Sequence, residues 1–297
     1  MNEVRQACQP WDGSDLSRIL ALDEVGPGLY RNRHGDSNPN GRAYGGQVMG
    51  QALMAALQTV DPQRDATTLQ LLFLQGTVPE EPVDFEVTAL QDGKRFSSRH
   101  IRGRQAGGRI VLDAHATFSM PVPAPEHTTA STAMPCVPQD LRDLSGIPQA
   151  WEEGIRRLGG YTLIVKPSID FRIPDVMTQL APQTAQARIS FWLKARERLA
   201  DDSALHAAAF AYLSDWWINF SSLGGHVRDL EPDRGLYIAS LNHSIWFHSA
   251  FRADEWMYFD CHSPRSAGGR GLSQAGVYDQ SGQLVASITQ ECLMAYA

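Results

Sequence analysis

The end of this chain repeats its middle. GGRIVLDAHATFSM runs from Gly107 to Met120 and SGQLVASITQECLM from Ser281 to Met294, an ungapped offset of 281 − 107 = 174. Each segment opens on a glycine turn and then alternates apolar with polar residues, the period of a half-buried strand. Upstream, GKRFSSRHIRG from Gly93 faces GGRGLSQAGVY from Gly268 at 268 − 93 = 175, a one-residue slip that a turn absorbs. A diverged duplication restricts the chain to folds that can be built twice on one plan. Its 297 residues suit that reading, since about 150 residues make a domain. Each copy has one helix-like stretch, GGQVMGQALMAALQTV over Gly45–Val60 and ALHAAAFAYLSDWWINF over Ala204–Phe220. The second is apolar almost all round and should be buried.

Strands are expected at Thr67–Gln75, Val83–Gln91, Arg95–Arg104 and Arg109–Ser119, with a hairpin turn at Asp92-Gly93, and again at Leu236–His248, Glu255–His262, Leu272–Tyr278 and Gln283–Met294. One buried helix wrapped by a curved antiparallel sheet, made twice, is an α+β architecture. Between the copies, Pro121, Pro123, Pro125, Pro135, Pro138 and Pro148 stand among Ala, Thr and Ser. The organisation is therefore read as an N-terminal unit over residues 1–120, an extended linker over 121–160 with a short helix near Leu141, and a C-terminal unit over 161–297.

Several classes are disfavoured. A net charge of −7 lacks the basic footprint of a nucleic-acid protein, and 43% hydrophobic residues argue against global disorder. The longest apolar run, Ala204–Phe220, is too short for a bilayer and is interrupted by His206 and Asp215, so no membrane insertion is expected. MNEVRQACQP has no apolar signal region. Cys8, Cys136, Cys261 and Cys292 are scattered without a CxxC pair, which fits reduced thiols in a cytoplasm and no zinc site. His243 and His248 fall on opposite faces of their strand, so no metal set is read.

Three polar residues stand where core residues are expected. On the last strand Leu284, Ala286, Ile288, Gln290, Cys292 and Met294 form the core face, and Gln290 is its only strongly polar member; the earlier copy has Ala116 there. An unpartnered buried amide costs roughly 1–3 kcal/mol, so Gln290 is either satisfied by backbone or water, or functional. Asp215 is the only acid of its helical stretch, among Leu213, Trp216, Trp217 and Ile218. It either reaches solvent or an arginine at a helix end, or is a buried candidate base. Ser240 lies in LYIASLNHSIWFH, where strict alternation puts it on a mixed face with Ile238, Asn242, Ser244, Trp246 and His248. An acid, a hydroxyl and an amide together can hold a water for attack on a carbonyl.

At these residues the chain resembles the type II (TesB-like) acyl-CoA thioesterases. The resemblance covers roughly Leu22–Phe118 and Ile155–Met294, through GLYRNR, AYGGQVMGQALMAA and DGKRFSSR in the first copy and YLSD, IASLNHSIWFH and LVASITQE in the second. It implies a double hot-dog fold and hydrolysis of acyl-CoA, with no cofactor. It also implies that Asp215, Ser240 and Gln290 bind the catalytic water, and that Gly46 and Gln47 of the GGQVMG string lie at the substrate. Departures from the family pattern are Gln75 in LLFLQGTVP, where an arginine is usual, and Asn242 in NHSIWFH, where an aspartate is usual. Trp216 and Trp217 directly follow the acid and could shorten the acyl pocket.

Coenzyme A needs an anion site. Lys94, Arg95, Arg99, Arg102, Arg104 and Arg109 form an acid-poor cationic segment, and Arg265 and Arg270 flank a Gly-rich turn; Arg270 is the first candidate for the phosphates. The absence of a Gln at Ala116 predicts one active site per chain, and exposed sheet edges predict a homodimer or higher homo-oligomer. Two other readings stay open: a hot-dog hydratase or dehydratase, although no Asp-x4-His helix motif is found, and a non-catalytic acyl-CoA binder. GLSQAG at Gly271–Gly276 misses the nucleophile-elbow register, and VGPGLYR lacks the third glycine of a dinucleotide loop.

Overall fold

Two helices and a continuous sheet organise the molecule. The computed structural model describes residues 7–38, 40–128, 138–141, 149–150, 152–153, 166–181, 183–227 and 235–296. The first half contributes strands β1 (Leu22–Gly26), β2 (Leu29–Asn32), β3 (Asp65–Phe73), β4 (Asp84–Asp92), β5 (Phe96–Gln105) and β6 (Arg109–Ser119). The second half contributes β7 (Ile169–Arg172), β8 (Arg188–Ala195), β9 (Leu236–Phe247), β10 (Met257–Ala267), β11 (Arg270–Tyr278) and β12 (Leu284–Tyr296). They form one sheet in the order β1-β2-β4-β5-β6-β3-β9-β12-β11-β10-β8-β7. Read outward from its centre, each half has the same order, so the duplication appears as a mirrored strand sequence about β3 and β9. This is the double hot dog implied by the resemblance.

The first core helix (Gly45–Leu57) and the second (Ser203–Ser214) pack together against the inner sheet face. Asp202 caps the second helix, its carboxylate accepting from the Ala204 amide at 2.9 Å. Their close approach depends on glycine. A Cβ added at Gly46 would lie 2.1 Å from the Tyr212 carbonyl oxygen, and one at Gly50 would lie 2.8 Å from that of Ala208. The string GGQVMG therefore reads as a contact surface of backbone on backbone.

Several boundaries differ from the sequence reading. The second helix stops at Ser214, and Phe220–Leu223 is a separate turn of helix. β1, β2, β7 and β8 were not expected; two of them have only four residues, too few for a periodic signal. Near Leu141 the described structure is a single 3₁₀ turn, Pro138–Asp140; most of the expected linker lies outside the described residues. Among the described residues no helix is long and apolar enough to cross a membrane.

Candidate active site

Asp215 is the C-cap of the second core helix, not an interior residue of it. The chain breaks away there because Trp217 takes a left-handed conformation, φ 59°. Such a backbone costs a bulky residue of order 1 kcal/mol. Burial offsets it: Trp217 is 2% exposed and packs on Phe171 and Phe220, with centroids 5.3 and 5.2 Å away. The turn aims the carboxylate at the first core helix. A Cβ at Gly45 would come within 2.6 Å of Oδ2, and the neighbouring Gly46 amide favours the ionised carboxylate. The acid of one half thus sits on the positive end of the other half's helix.

A β-bulge brings Ser240 to it. Along the β9–β12 ladder Asn242 pairs with Glu291, but Ser240 pairs with Cys292, leaving Leu241 as the extra residue. The bulge reverses the alternation. Ser240 therefore shares the inner face with His243 and Ile245, and not with Asn242, Ser244 and Trp246 as strict alternation required. Asn242 instead donates to Glu291 at 2.9 Å.

Gln290 completes the group. Its Nε2 donates to Asp215 Oδ1 and to Ser240 Oγ, both at 2.8 Å, and Ser240 Oγ donates to Asp215 Oδ1 at 3.1 Å. The acid, hydroxyl and amide singled out in the sequence lie in mutual contact. Burial is the largest influence on Asp215 and raises its pKa to about 6, against the opposing hydrogen bonds from Gln290, Ser240 and the Gly46 amide and the charge of Lys166. A carboxylate so placed is ionised at neutral pH yet basic enough to take a proton.

Asp215 and Ser240 front a cavity of about 760 Å³, while Gln290 stands behind them, fully buried. The cavity opens where the two central strands part: β3 pairs with β9 only over Thr68–Leu72 and Asn242–Trp246. Beyond that, residues 73–77 face residues 237–241 across the gap. Trp216, Trp217, Val48, Phe73, Ile238 and Leu293 supply apolar wall, and the exposed rim includes Ser37, Asn40, Arg42 and Gln75.

The remaining candidates lie elsewhere. Gly46 and Gln47 are behind the wall. Gln47 is buried, its Oε1 accepting from the Asp36 amide at 2.6 Å and its Nε2 donating to Gln51 Oε1 at 3.1 Å. Arg270 lines a separate groove of about 210 Å³ and pairs with Glu291 at 3.4 Å. Three of the other candidate cations are engaged locally: Arg102 with Asp113, Arg104 with Glu86, and Arg109 with the Gly76 carbonyl. Arg42 and Lys166 were not singled out in the sequence, yet both line the cavity. Lys166 grips Asp36 at 2.7 Å and lies 4.6 Å from the Tyr44 ring centre. Neither had a local signal, because each becomes notable only through chain brought next to it by the fold.

The corresponding place in the first half is filled. Arg99 pairs in register with Ala116 as Ser273 does with Gln290, the same offset of 174 for both. Buried Arg99 donates to Thr59 Oγ1 at 2.8 Å and to the Thr59 carbonyl at 2.9 Å, at the end of the first core helix. A guanidinium anchored on that helix end stands where the second half has its acid and amide.

On the outer sheet face, His100, Asp113 and His115 gather ligand-type atoms within 4.8 Å of one another, a cross-strand grouping that sequence spacing did not suggest. Asp113 already accepts from Arg102 at 3.4 Å and lies 2.9 Å from His100 Nε2.

Comparison with known proteins shows the family. The family model described as the acyl-CoA thioesterase C-terminal domain matches residues 138–294, and that of the acyl-CoA thioesterase N-terminal domain matches residues 33–119. Acyl-coenzyme A thioesterase 8 of Mus musculus is 30% identical over 288 residues, covering 93% of this chain and 87% of the mouse protein. Acyl-CoA thioesterase 2 of Haemophilus influenzae is 27% identical over 288 residues, covering 96% and 98%. The crystal structure of acyl-CoA thioesterase II TesB2 from Mycobacterium marinum superposes with a TM-score of 0.76 at 32% identity, covering 95% of this chain and 99% of that one. The chain belongs to the acyl-CoA thioesterase family and is a thioester hydrolase.

Proposed function

We propose that acyl-CoA is hydrolysed at the floor of the Asp215 cavity by direct attack of water. Asp215 takes a proton from a water held between its carboxylate and Ser240 Oγ, and the water oxygen attacks the thioester carbonyl carbon. The tetrahedral intermediate expels coenzyme A by cleavage of the C–S bond, and the proton held on Asp215 passes to the leaving thiolate. Gln290 keeps the acid and the hydroxyl in place. The observation that carries this reading is the closed contact of Asp215, Ser240 and Gln290 at the wall of a cavity. Among the described residues no acid–histidine pair of the hydratase type faces the cavity: His243 lies fully buried behind Gln290, and burial lowers its pKa to about 4.

The reading is tested by following coenzyme A release with a thiol reagent across pH. An acid of raised pKa is protonated and idle below about 6 and ionised above it. Activity as kcat/KM is therefore expected to rise with pH through about 6 and then level off. A profile already flat between pH 4.5 and 8 would remove Asp215 as the base.

The phosphates of coenzyme A are assigned to Arg42, whose guanidinium lies at the cavity rim beside Gly76. Its placement beside Gln75 supplies a cation close to the position where the family pattern has one. Arg42→Ala is expected to raise KM for acyl-CoA roughly tenfold with little change in kcat, the size of one charge-assisted hydrogen bond. Arg270→Ala should leave KM unchanged; the opposite pattern would move the nucleotide to the smaller groove.

The same reading includes a cytoplasmic location and a homodimer or higher homo-oligomer. Free thiols at Cys8, Cys261 and Cys292 support the first. Exposed Leu72 and Trp246 on the outer face of the central strands support the second.

A further inference from the structure

We propose that His243 is a positioning residue that sets which way the Gln290 amide faces. This deepens the reading of Asp215, Ser240 and Gln290 given above and rests on it. Gln290 and His243 are directly opposed on β12 and β9, and both are fully buried. His243 Nδ1 lies 2.5 Å from Gln290 Oε1. On the other side of the ring, Ser214 Oγ is 3.1 Å from Nε2, and its alternative acceptor, the Ala211 carbonyl, is at 2.9 Å.

A primary amide has two nearly isosteric ends, one that only accepts and one that only donates. Gln290 can serve Asp215 only with its donor end forward. If the amide turned over, Oε1 would face the Asp215 carboxylate, acceptor against acceptor, and Ser240 would lose a donor. A neutral imidazole with its proton on Nδ1 donates to Oε1 and so selects the forward orientation. Nε2 is then left as an acceptor, and Ser214 Oγ is the donor that matches it. Burial holds the ring neutral at working pH, so it carries one N–H, and with Gln290 Nε2 donating to Asp215 the end of the amide left facing Nδ1 is an acceptor, which matches that N–H on Nδ1. Ser214 is also the last residue of the second core helix, immediately before Asp215. The imidazole therefore ties the amide to the turn that carries the acid. The sequence reading weighed this histidine only as a metal ligand; its partner became visible only from the β9–β12 register.

The test compares His243→Leu, which fills space without a donor, with His243→Asn, whose amide nitrogen can replace Nδ1. His243→Leu is expected to lower kcat about 10–100-fold with KM within threefold, the scale of lost outer support for a reacting group. It should also move the midpoint of the kcat/KM profile upward, because Asp215 loses a donor that favours its ionised form. His243→Asn should restore most of kcat and return the midpoint. A purely structural histidine would lower thermal stability in His243→Leu and leave the midpoint in place, and that result overturns the proposal. So would a fall in kcat that His243→Asn does not repair.

Two outcomes separate this inference from the reading beneath it. If Gln290→Ala retains near-normal kcat, the role of the triad itself fails. If Gln290→Ala is severely impaired while His243→Leu turns over normally, only the inference fails. When both hold, His243→Leu should add little to Gln290→Ala, because the two act through the same amide.

Discussion

Exchanging Asp215 for asparagine is expected to cut kcat by about 10²–10⁴-fold, the usual contribution of a positioned general base, while KM changes little. Asparagine keeps the shape of the side chain and an acceptor for Gln290 Nε2, so the cavity should persist. The same variant is expected to be more stable than the parent at neutral pH. The sign follows from the raised pKa, about 6 in place of 3.8. Between those values the folded chain binds a proton that the unfolded chain has released. Stability is therefore lost as pH rises through that window, and the loss is complete above it. At 1.36 kcal/mol per pH unit the ionised carboxylate costs on the order of 3 kcal/mol, an upper estimate because the asparagine amide cannot accept from the Gly46 amide at both ends. Thermal unfolding at pH 7.5 and pH 4 checks this: the gain of Asp215→Asn over the parent should shrink at the lower pH. An equal gap at both values would mean that the carboxylate carries no such cost, and a near-normal kcat would remove it from the chemistry.

The second large effect is expected at Gly46. An alanine there would drive its Cβ to 2.1 Å from the Tyr212 carbonyl oxygen and to 2.5 Å from the Tyr44 ring. The backbone oxygen belongs to a buried helix and has nowhere to go, so the two core helices must separate. Overpacking of this kind costs about 3 kcal/mol at the upper end of its usual range. Separation would also pull the Gly46 amide from Asp215. Gly46→Ala should therefore lower the melting temperature by several degrees, and the protein that remains folded should have a reduced kcat. Gly93→Ala serves as the control, since its nearest contact would be an ordinary 3.4 Å. Comparable melting temperatures for the two variants would show that the helices are not in the close contact described.

How far the site could be read in advance depended on the kind of signal each residue left. Asp215 and Gln290 stood out because each is a polar side chain on an otherwise apolar surface, and the cost of burying such a group is local information. Ser240 left no such signal. Its face assignment failed because a bulge at Leu241 inserts one residue into β9, and a bulge is specified by the partner strand, which periodicity in one segment does not see. The end of the second core helix was also hidden. Helices often end on a glycine in the left-handed conformation, and here the left-handed residue just past the end is Trp217, held so by aromatic neighbours that include the sequence-distant Phe171. Arg99 had the look of one more surface cation in a basic strand, yet it is 3% exposed and holds the end of the first core helix. The repeat itself was the most legible feature. Its ungapped offset predicted β6 and β12 as equivalent strands, although the outer strands of each half, β1, β2, β7 and the eight-residue β8, escaped detection.

The contact between the Gly46 amide and Asp215 makes the proposed reaction centre a joint possession of the two repeats. Each contributes something the other cannot: one a helix start, the other a carboxylate. In an assembly of two identical repeats this arrangement would arise twice, once at each end of the helix pair. Fusion into a single chain frees one of those places for other use, and Arg99 shows what became of it. Neither repeat can be surrendered whole, however. Substitutions around residue 45 must remain compatible with a side chain 215 − 45 = 170 positions downstream, so the two copies are constrained by each other where they meet.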